Sequence, residues 1–486
     1  MITLEKARAL AEGFKIIPLS REIMGDIKTP VEVLKILKNV SSHCYMLESV
    51  EDQEKWGRYT FLGYDPTMEI TCTNGVMTIK NGKEITNTVS HPGEAIKKIL
   101  EEHRSPKVEG LPPFTGGLVG YFSYDYIKYS EPSLKLDAKD EENFKDVDLM
   151  LFDKVIVFDN YRQKMILLVN IPLDNLEESY SKGQQKLFEL AELIQTGEPK
   201  QELAGTLKSS FKPLFSKDEY CAMVEKAKHH IVEGDIFQIV LSNRLEADFE
   251  GSLFHTYRIL RTINPSPYMF YFSGSDMEVA GASPETLVKL ENGTLHTFPL
   301  AGTRPRGKTE EEDNKLAEEL LKDQKELAEH NMLVDLGRND LGKISDFGTV
   351  MVEQYHMIQR YSHVMHIGST VRGRLRKDKD ALDAIEAILP AGTLSGAPKL
   401  RACQLINDLE NNKRGIYGGA IGYLDFTGNL DTCIAIRIVY KKNNKVFIRS
   451  GAGIVADSVP ETEYQECLNK AAAVVSAVKT PQEVTK

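Results

Sequence analysis

Glu69-Ile70-Thr71-Cys72-Thr73-Asn74-Gly75-Val76-Met77-Thr78-Ile79 decides how the first half of the chain is read. Two β-prone runs flank Asn-Gly, the pair that best takes the two positive φ angles of a type I′ turn, so the stretch predicts a β-hairpin. Asn81-Gly82 marks a second turn directly after it. Residues 155–160 and 164–169 predict another pair of strands. Between and after these, helical patterns appear. Residues 177–196 carry Leu187, Leu190, Ala191 and Ile194 at helical spacing. Residues 217–233 predict a helix ended by Gly234, and 237–241 a buried strand. Residues 309–336 predict one long helix with Leu316, Leu320 and Leu327 near one stripe. Strands follow at 418–424, 432–440 and 445–449, then a closing helix at 460–479. Hairpins and separate helices without regular βαβ alternation predict an α+β fold. The polar run 197–212 is the best linker candidate, dividing an N-terminal region, 1–205, from a C-terminal region, 206–486.

The 486 residues carry a formal net charge of -11, with 41% hydrophobic and 27% charged side chains. This is the balance of a soluble globular protein, and it excludes wholesale binding to nucleic acid, whose phosphates need a positive face. Small anionic substrates remain compatible, because a local cluster of cations or backbone N–H groups can hold them. Six scattered cysteines, with no C-x-x-C and no zinc spacing, predict reduced thiols. No apolar run reaches the ~18 residues of a membrane span, and the first residues lack a signal pattern, so a cytoplasmic protein is expected.

Chemistry concentrates in the second half. In the closing helix Glu463 and Glu466 are three apart and Lys470 lies one turn beyond Glu466. This is either a solvated face with a surface ion pair or a site for a hard cation such as Mg²⁺. Directly before it, Arg449-Ser450-Gly451-Ala452-Gly453-Ile454 offers small residues that let backbone N–H groups approach an anion, or a tight strand end needing positive φ. Asp457 or Ser458 is the expected cap of that helix. Glu329, in the stretch ending Arg338-Asn339-Asp340, is a further oxygen donor or a surface residue. Tyr361-Ser362-His363-Val364-Met365-His366 supplies two imidazoles, for acid–base work or for the core. Pro299 to Gly307 and Leu389 to Lys399 are turn-rich loops, the latter with Ser395 as a helix cap.

These segments, in this order, resemble the chorismate-utilising enzymes, and within them the anthranilate-forming branch. The matching strings are Ile236 to Ser242, Ala282-Ser283-Pro284-Glu285, Ala301-Gly302-Thr303-Arg304, Glu329 to Asp340, Tyr361 to His366, Gly392 to Lys399 and Gly451 to Glu466. The resemblance implies a large composite β-sandwich core with helices packed outside, of the isochorismate synthase-like kind. It implies Glu329 and Glu466 as Mg²⁺ ligands, with Glu463 nearby through water. It implies Tyr417, Arg437, Lys470 and the Gly451-Ala452-Gly453 backbone as holders of the enolpyruvyl carboxylate, with Gly302, Thr303 and Thr393 as further contacts. A guanidinium suits such a carboxylate because it pairs in two-point fashion. Glu285 resembles the family's general acid, which requires a raised pKa. His366 resembles the histidine tied to pyruvate elimination, as a base or as an electrostatic partner.

Two positions separate the branches of this family. Relatives that attack with water carry Lys where Gln238 stands, and aminodeoxychorismate synthases typically carry Lys where Ala301 stands. Neither Gln nor Ala can do that chemistry, which favours direct attack by ammonia. Met46-Leu47-Glu48-Ser49 and Asn264-Pro265-Ser266-Pro267-Tyr268-Met269-Phe270 resemble the two halves of a feedback site for tryptophan, with Glu48, Ser49, Pro267, Tyr268 and Met269 as contacts. None of the cysteines lies in the G-x-C-x-G turn of a glutaminase. The ammonia is therefore expected from a separate glutamine amidotransferase subunit, in a heterotetramer of two synthase and two glutaminase chains, or from solution. An aminodeoxychorismate synthase and a catalytically silent tryptophan sensor are the rival readings.

Overall fold

The structure, a computed structural model, describes residues 2–49, 57–202, 204–360 and 364–480. Two large antiparallel sheets face each other. The first runs in the order Ile16–Met24, Lys164–Pro172, Lys154–Asp159, Tyr59–Tyr64, Cys44–Glu48, Tyr268–Ser273, Glu278–Ser283, Ile438–Lys442, Lys445–Ile454, Gln238–Glu250 and Thr206–Leu207. The second runs Leu300–Pro305, Val364–Arg374, Thr294–Thr297, Thr286–Glu291, Leu430–Ile434, Ala420–Asp425, Gly117–Phe122, Val147–Phe152, Met68–Thr73, Val76–Asn81 and Lys83–Thr88.

Side chains from both sheets, among them Tyr45, Phe61, Tyr121, Met150, Val157, Phe272, Ile421 and Tyr440, meet in a buried layer. Helices cover the outer faces. Pro30–Val40, Leu176–Thr196, Phe254–Ile263 and Pro460–Lys479 pack on the first sheet through Leu34, Leu190, Leu260 and Val474. Pro92–Glu102, Gln324–Gly342 and Ala381–Ile388 pack on the second through Ile96, Val334 and Ile385. The expected α+β sandwich with outer helices is what the chain forms.

The opening hairpin forms as read: Asn74 and Gly75 have φ of 49° and 79°, both positive as a type I′ turn requires. Several other expectations need correction. The long helix is two, Glu310–Leu320 and Gln324–Gly342, because Asp323 caps the second by accepting the N–H groups of Lys325 and Glu326. Residues 432–440 are not one strand: the chain leaves the second sheet at Ile434 and enters the first at Ile438. Phe237 is 72% exposed, outside the strand that begins at Gln238. Pro299 to Gly307 is mostly strand, Leu300–Pro305. The closing helix is capped by Val459, while Ser458 accepts the Val455 N–H. Ser395 donates to the Ala391 carbonyl instead of capping a helix. The 197–212 run is stitched to the first sheet through Thr206–Leu207 and Lys212–Pro213. On either side of 205/206 the chain supplies one contiguous block of strands to each sheet, so each region contributes a part of both.

Candidate active site

The site grows from a two-stranded ribbon that changes sheets. Glu278–Ser283 lies beside Ile438–Lys442 in the first sheet, and Thr286–Glu291 lies beside Leu430–Ile434 in the second. Sequence-distant crossings at 283–286 and 434–438 therefore run side by side. They are zipped together: the Ile434 N–H donates to the Glu285 carbonyl at 2.9 Å, and the Ala282 N–H to the Arg437 carbonyl at 3.1 Å. Ser283 adds a hydroxyl bond to the Ile434 carbonyl at 2.7 Å. Glu285 and Arg437 thus stand on adjacent crossings. Arg437 has φ of 52°, a left-handed conformation unusual for a non-glycine residue and found where a site holds its backbone under constraint.

Burial pushes the Glu285 carboxyl up to about 7, against the opposing effects of a Thr393 hydrogen bond and the charges of Lys470 and Arg437. Thr393 sits in the turn Gly392–Leu394 and donates to Glu285 Oε1 at 3.0 Å. His366, on Val364–Arg374, is held below its ordinary value by burial, with the Arg437 charge adding to it. Its Nδ1 lies 2.9 Å from the Gly302 carbonyl and 3.1 Å from Thr303 Oγ1. A carbonyl only accepts, so Nδ1 carries the proton and the lone pair of the neutral ring sits on Nε2. Gly302 makes this possible from a bulge, with φ of 68° and the register slipping between Ala301 and Thr303.

The Gly451-Ala452-Gly453 strand answers the question its sequence left open. Neither glycine has positive φ. They are glycines because of close approach: a Cβ on Gly451 would lie 2.7 Å from the Leu241 carbonyl and 3.1 Å from the Tyr417 hydroxyl, and one on Gly453 2.8 Å from Gln238 Nε2. Val240 and Ser242, opposite Gly453 and Gly451, send their N–H groups away, to the Ser395 carbonyl and to Glu410. Gly451 and Gly453 are then the pairs that point outward from the ladder. Among the described residues, pairing on that outer side stops at Ile448. The result is an open backbone edge suited to an anion. Ala452 faces the other way, its side chain buried in the core with Ile406 and Cys467.

Acidic residues border this edge in two groups, each tied to it through an intermediary side chain. Gln238 Nε2, beneath Gly453, donates to Glu329 Oε1 at 3.3 Å. Glu466 pairs with Lys470 at 2.6 Å, and Lys470 donates to the Gly451 carbonyl at 3.1 Å. Burial raises the Glu463 carboxyl against a hydrogen bond with Ser458; the charge of Glu466 adds to the rise, and those of Lys470 and, less, Lys325 oppose it. Among the described residues no three acidic, His or Cys side chains stand close enough to hold a metal by themselves. The donor chemistry nonetheless fits Mg²⁺, which takes one or two carboxylates and draws its other oxygens from water and substrate.

The two halves of the second predicted cluster pair as neighbours, with Met269 opposite Glu48 on adjacent strands. The Glu48 carboxylate is engaged by Arg261 and the Tyr257 hydroxyl. The Tyr268 hydroxyl bonds Asp431 at 2.8 Å and lies 2.9 Å from Thr286 Oγ1, next to Glu285. Ser49 and Pro267 end their two strands on the same side of that pairing. His363 lies outside the described residues.

Sequence reading missed the supports. Asp340, assigned to shaping a helix end, is buried and pairs with Lys399 at 2.7 Å, fastening the Glu329 helix to the Thr393 loop. Glu410 and Arg414, one helical turn apart in spacing, form a buried cluster with Arg449. In Glu410-Asn411-Asn412-Lys413-Arg414 the four-residue spacing was the available signal, and it does not separate a buried pair from a surface one.

A sandwich whose crossings hold a carboxyl of raised pKa and a guanidinium, with an open glycine edge on the Lys445–Ile454 strand, suits a small anionic substrate. The chain belongs to the chorismate-binding enzymes: the family described as chorismate binding enzyme matches residues 42–476, and the chain is an enzyme that acts on chorismate. More narrowly, it is 44% identical to the anthranilate synthase component 1 of Acetivibrio thermocellus over 498 aligned residues, covering 99% of each chain. It is 43% identical to that of Aquifex aeolicus, covering 99% of this chain and 98% of the relative. The crystal structure of anthranilate synthase component I from Streptococcus pneumoniae matches with a TM-score of 0.77 at 38% identity, over 93% of this chain and 98% of that one. The menaquinone-specific isochorismate synthase of Escherichia coli shares the fold, with a TM-score of 0.71 at 20% identity, over 98% of this chain and 99% of that one. The chain is a chorismate-utilising synthase. Among the described residues no helix is long and apolar enough to cross a membrane.

Proposed function

We propose that this chain is the synthase subunit of an anthranilate synthase, converting chorismate and ammonia to anthranilate and pyruvate. The observation that carries the reading is the pair of adjacent crossings, which sets a carboxyl held up to about 7 beside a guanidinium. Arg437 and the outward N–H groups of Gly451 and Gly453 take the enolpyruvyl carboxylate, with the Tyr417 hydroxyl over the same edge and Lys470 beside it. Gly302 and Thr303 line the substrate's other side. Glu329 and Glu466, with Glu463 near them, would hold Mg²⁺, which when bound supplies positive charge for the ring carboxylate.

Glu285, protonated, gives its proton to the departing ring hydroxyl, so that water leaves as ammonia adds. Thr393 keeps the Glu285 carboxyl aimed. His366 is neutral and offers Nε2 to the ring proton lost as pyruvate is eliminated and the ring becomes aromatic. Gln238 and Ala301 present no amine, which supports ammonia, rather than activated water or a lysine, as the nucleophile. The relatives' name, component 1, supports a partner component. On this reading that partner is a separate glutamine amidotransferase chain that supplies the ammonia, in a two-plus-two assembly. The Glu48–Met269 pairing supports a tryptophan feedback site at Glu48, Ser49, Pro267, Tyr268 and Met269.

The test is the pure chain with chorismate, Mg²⁺ and ammonium. Fluorescent anthranilate with stoichiometric pyruvate is expected. A 4-amino product without pyruvate overturns the reading in favour of an aminodeoxychorismate synthase.

A further inference from the structure

Behind the site lies a buried charged cluster that none of the chemistry above uses. Arg414 and Arg449 are each 1% exposed and Glu410 is 2% exposed. Glu410 takes Arg414 Nε at 3.0 Å and Arg449 Nη2 at 2.7 Å, and accepts the Ser242 N–H and hydroxyl at 2.8 and 2.9 Å. Burial acts to raise its pKa, and the two guanidinium charges outweigh it, so the carboxyl lies below its ordinary value and the cluster is ionised. Arg414 then reaches two further segments. It donates to the Leu394 carbonyl at 2.6 Å and to the Val240 carbonyl at 2.7 Å. Arg449 donates to Ser242 Oγ at 2.8 Å, to Asn412 Oδ1 at 2.9 Å and to the Lys413 carbonyl at 3.1 Å.

Each of these partners abuts a site residue. Leu394 follows Thr393. Val240 and Ser242 lie opposite Gly453 and Gly451. Arg449 is two residues ahead of Gly451. The Arg414 guanidinium also lies 5.8 Å from the ring of Tyr417, whose hydroxyl overhangs Gly451. A network so placed is costly to bury, and apolar residues would fill the same space at least as stably. Its geometric demand for fixed partners is what an apolar core would not supply.

We propose that Arg414, held by Glu410 and Arg449, is the positioning residue of the site: it clamps the Thr393 turn to the strand opposite Gly451 and Gly453, so that the Thr393 hydroxyl reaches Glu285. The proposal rests on the acid role given to Glu285. Lys470 on the closing helix and Arg437 on the neighbouring crossing are the charged groups that act on that carboxyl. Because the Thr393 bond holds the Glu285 pKa down, releasing the clamp moves that pKa up.

The experiment compares Arg414→Lys, Thr393→Val and the double variant, following loss of chorismate so that the identity of the product does not enter. Arg414→Lys keeps the charge and loses the forked bonds. Expected for it are a kcat lower by about tenfold or more, a KM changed much less, and an alkaline limb of kcat shifted upward by roughly half a pH unit. Thr393→Val shows the same shift, and the double variant adds little to either. Ser242→Ala, a milder change to the same cluster, gives a smaller shift in the same direction should Arg414→Lys fold poorly. An unshifted limb in both clamp variants, or effects that multiply with Thr393→Val, overturns the proposal.

Discussion

Glu285 and Arg437 stand at opposite ends of one paired crossing: the Glu285 carbonyl accepts the Ile434 N–H and the Arg437 carbonyl accepts the Ala282 N–H, where each strand passes from one sheet to the other. Neither residue can slide along its strand without breaking the bond its own carbonyl makes to the other strand. The proposed acid and the proposed carboxylate holder are therefore set by the sandwich.

Glu285→Gln should lower kcat by about 10²–10⁴-fold, the usual contribution of a positioned acid. In the unaltered enzyme kcat should fall as pH rises through about 7, where the carboxyl loses its proton. A carboxyl whose folded pKa exceeds its unfolded value favours the fold at low pH and loses that contribution as pH climbs through the folded pKa. At pH 8 the Gln variant should consequently be more stable, by roughly 1–2 kcal/mol after allowance for partial solvation. Urea unfolding at pH 5 and pH 8 measures this; equal stabilities of the two proteins at both values would contradict it.

Glu329→Ala and Glu466→Ala should each abolish turnover at saturating Mg²⁺ while tryptophan still binds, as followed by calorimetry. Chelation of divalent ions should silence the native enzyme and leave its unfolding midpoint nearly unchanged, because both helices are held to the sheets by apolar packing, through Val474 and Val334 among others. Turnover in EDTA would remove the metal assignment.

Two glycines separated by Ala452 should behave differently. Gly453→Ala meets the movable end of Gln238, so the fold should survive while KM rises by about tenfold as the edge is blocked and the Gln238–Glu329 bond is lost. Gly451→Ala meets the Leu241 backbone carbonyl at 2.7 Å, which has nowhere to go. That variant should fold poorly, and soluble yield and thermal midpoint separate the two.

Asp340→Asn leaves Lys399 buried without its charge partner, and the expected loss is about 3–5 kcal/mol of stability. Denaturant midpoints read it directly. A loss below about 1 kcal/mol would mean that the Lys399–Ile388 carbonyl bond suffices.

Glu48→Ala should raise the tryptophan concentration needed for half inhibition by about tenfold or more with kcat/KM for chorismate little changed. The change removes the carboxylate that fixes Arg261 and Tyr257 against the strand bearing Ser49.

Local chemistry made the hairpin at Asn74-Gly75 and the capped helices readable, because turn φ angles and helical periodicity are written within a few residues. The crossing at Arg437 was not readable. Residues 432–440 alternate like one strand, and only contact with residues 278–291 decides that the chain changes sheets midway. The break at Asp323 was hidden by the continuous helical composition around it, and its cause is an aspartate cap backed by Arg304 from a different strand. The candidate site residues were proposed from motifs, each of which spans only a few positions. What positions them, Asp340 with Lys399 and Arg414 with Glu410 and Arg449, was not legible, since a buried ion pair and a surface one look alike in sequence.

In each sheet the strands from before residue 197 form one block and those from after residue 205 another, joined by one pairing, Cys44–Glu48 with Tyr268–Ser273 in the first sheet and Gly117–Phe122 with Ala420–Asp425 in the second. Cleavage within residues 197–202 should yield two fragments that co-elute and stay active together, each holding half of a fabric that neither can weave alone.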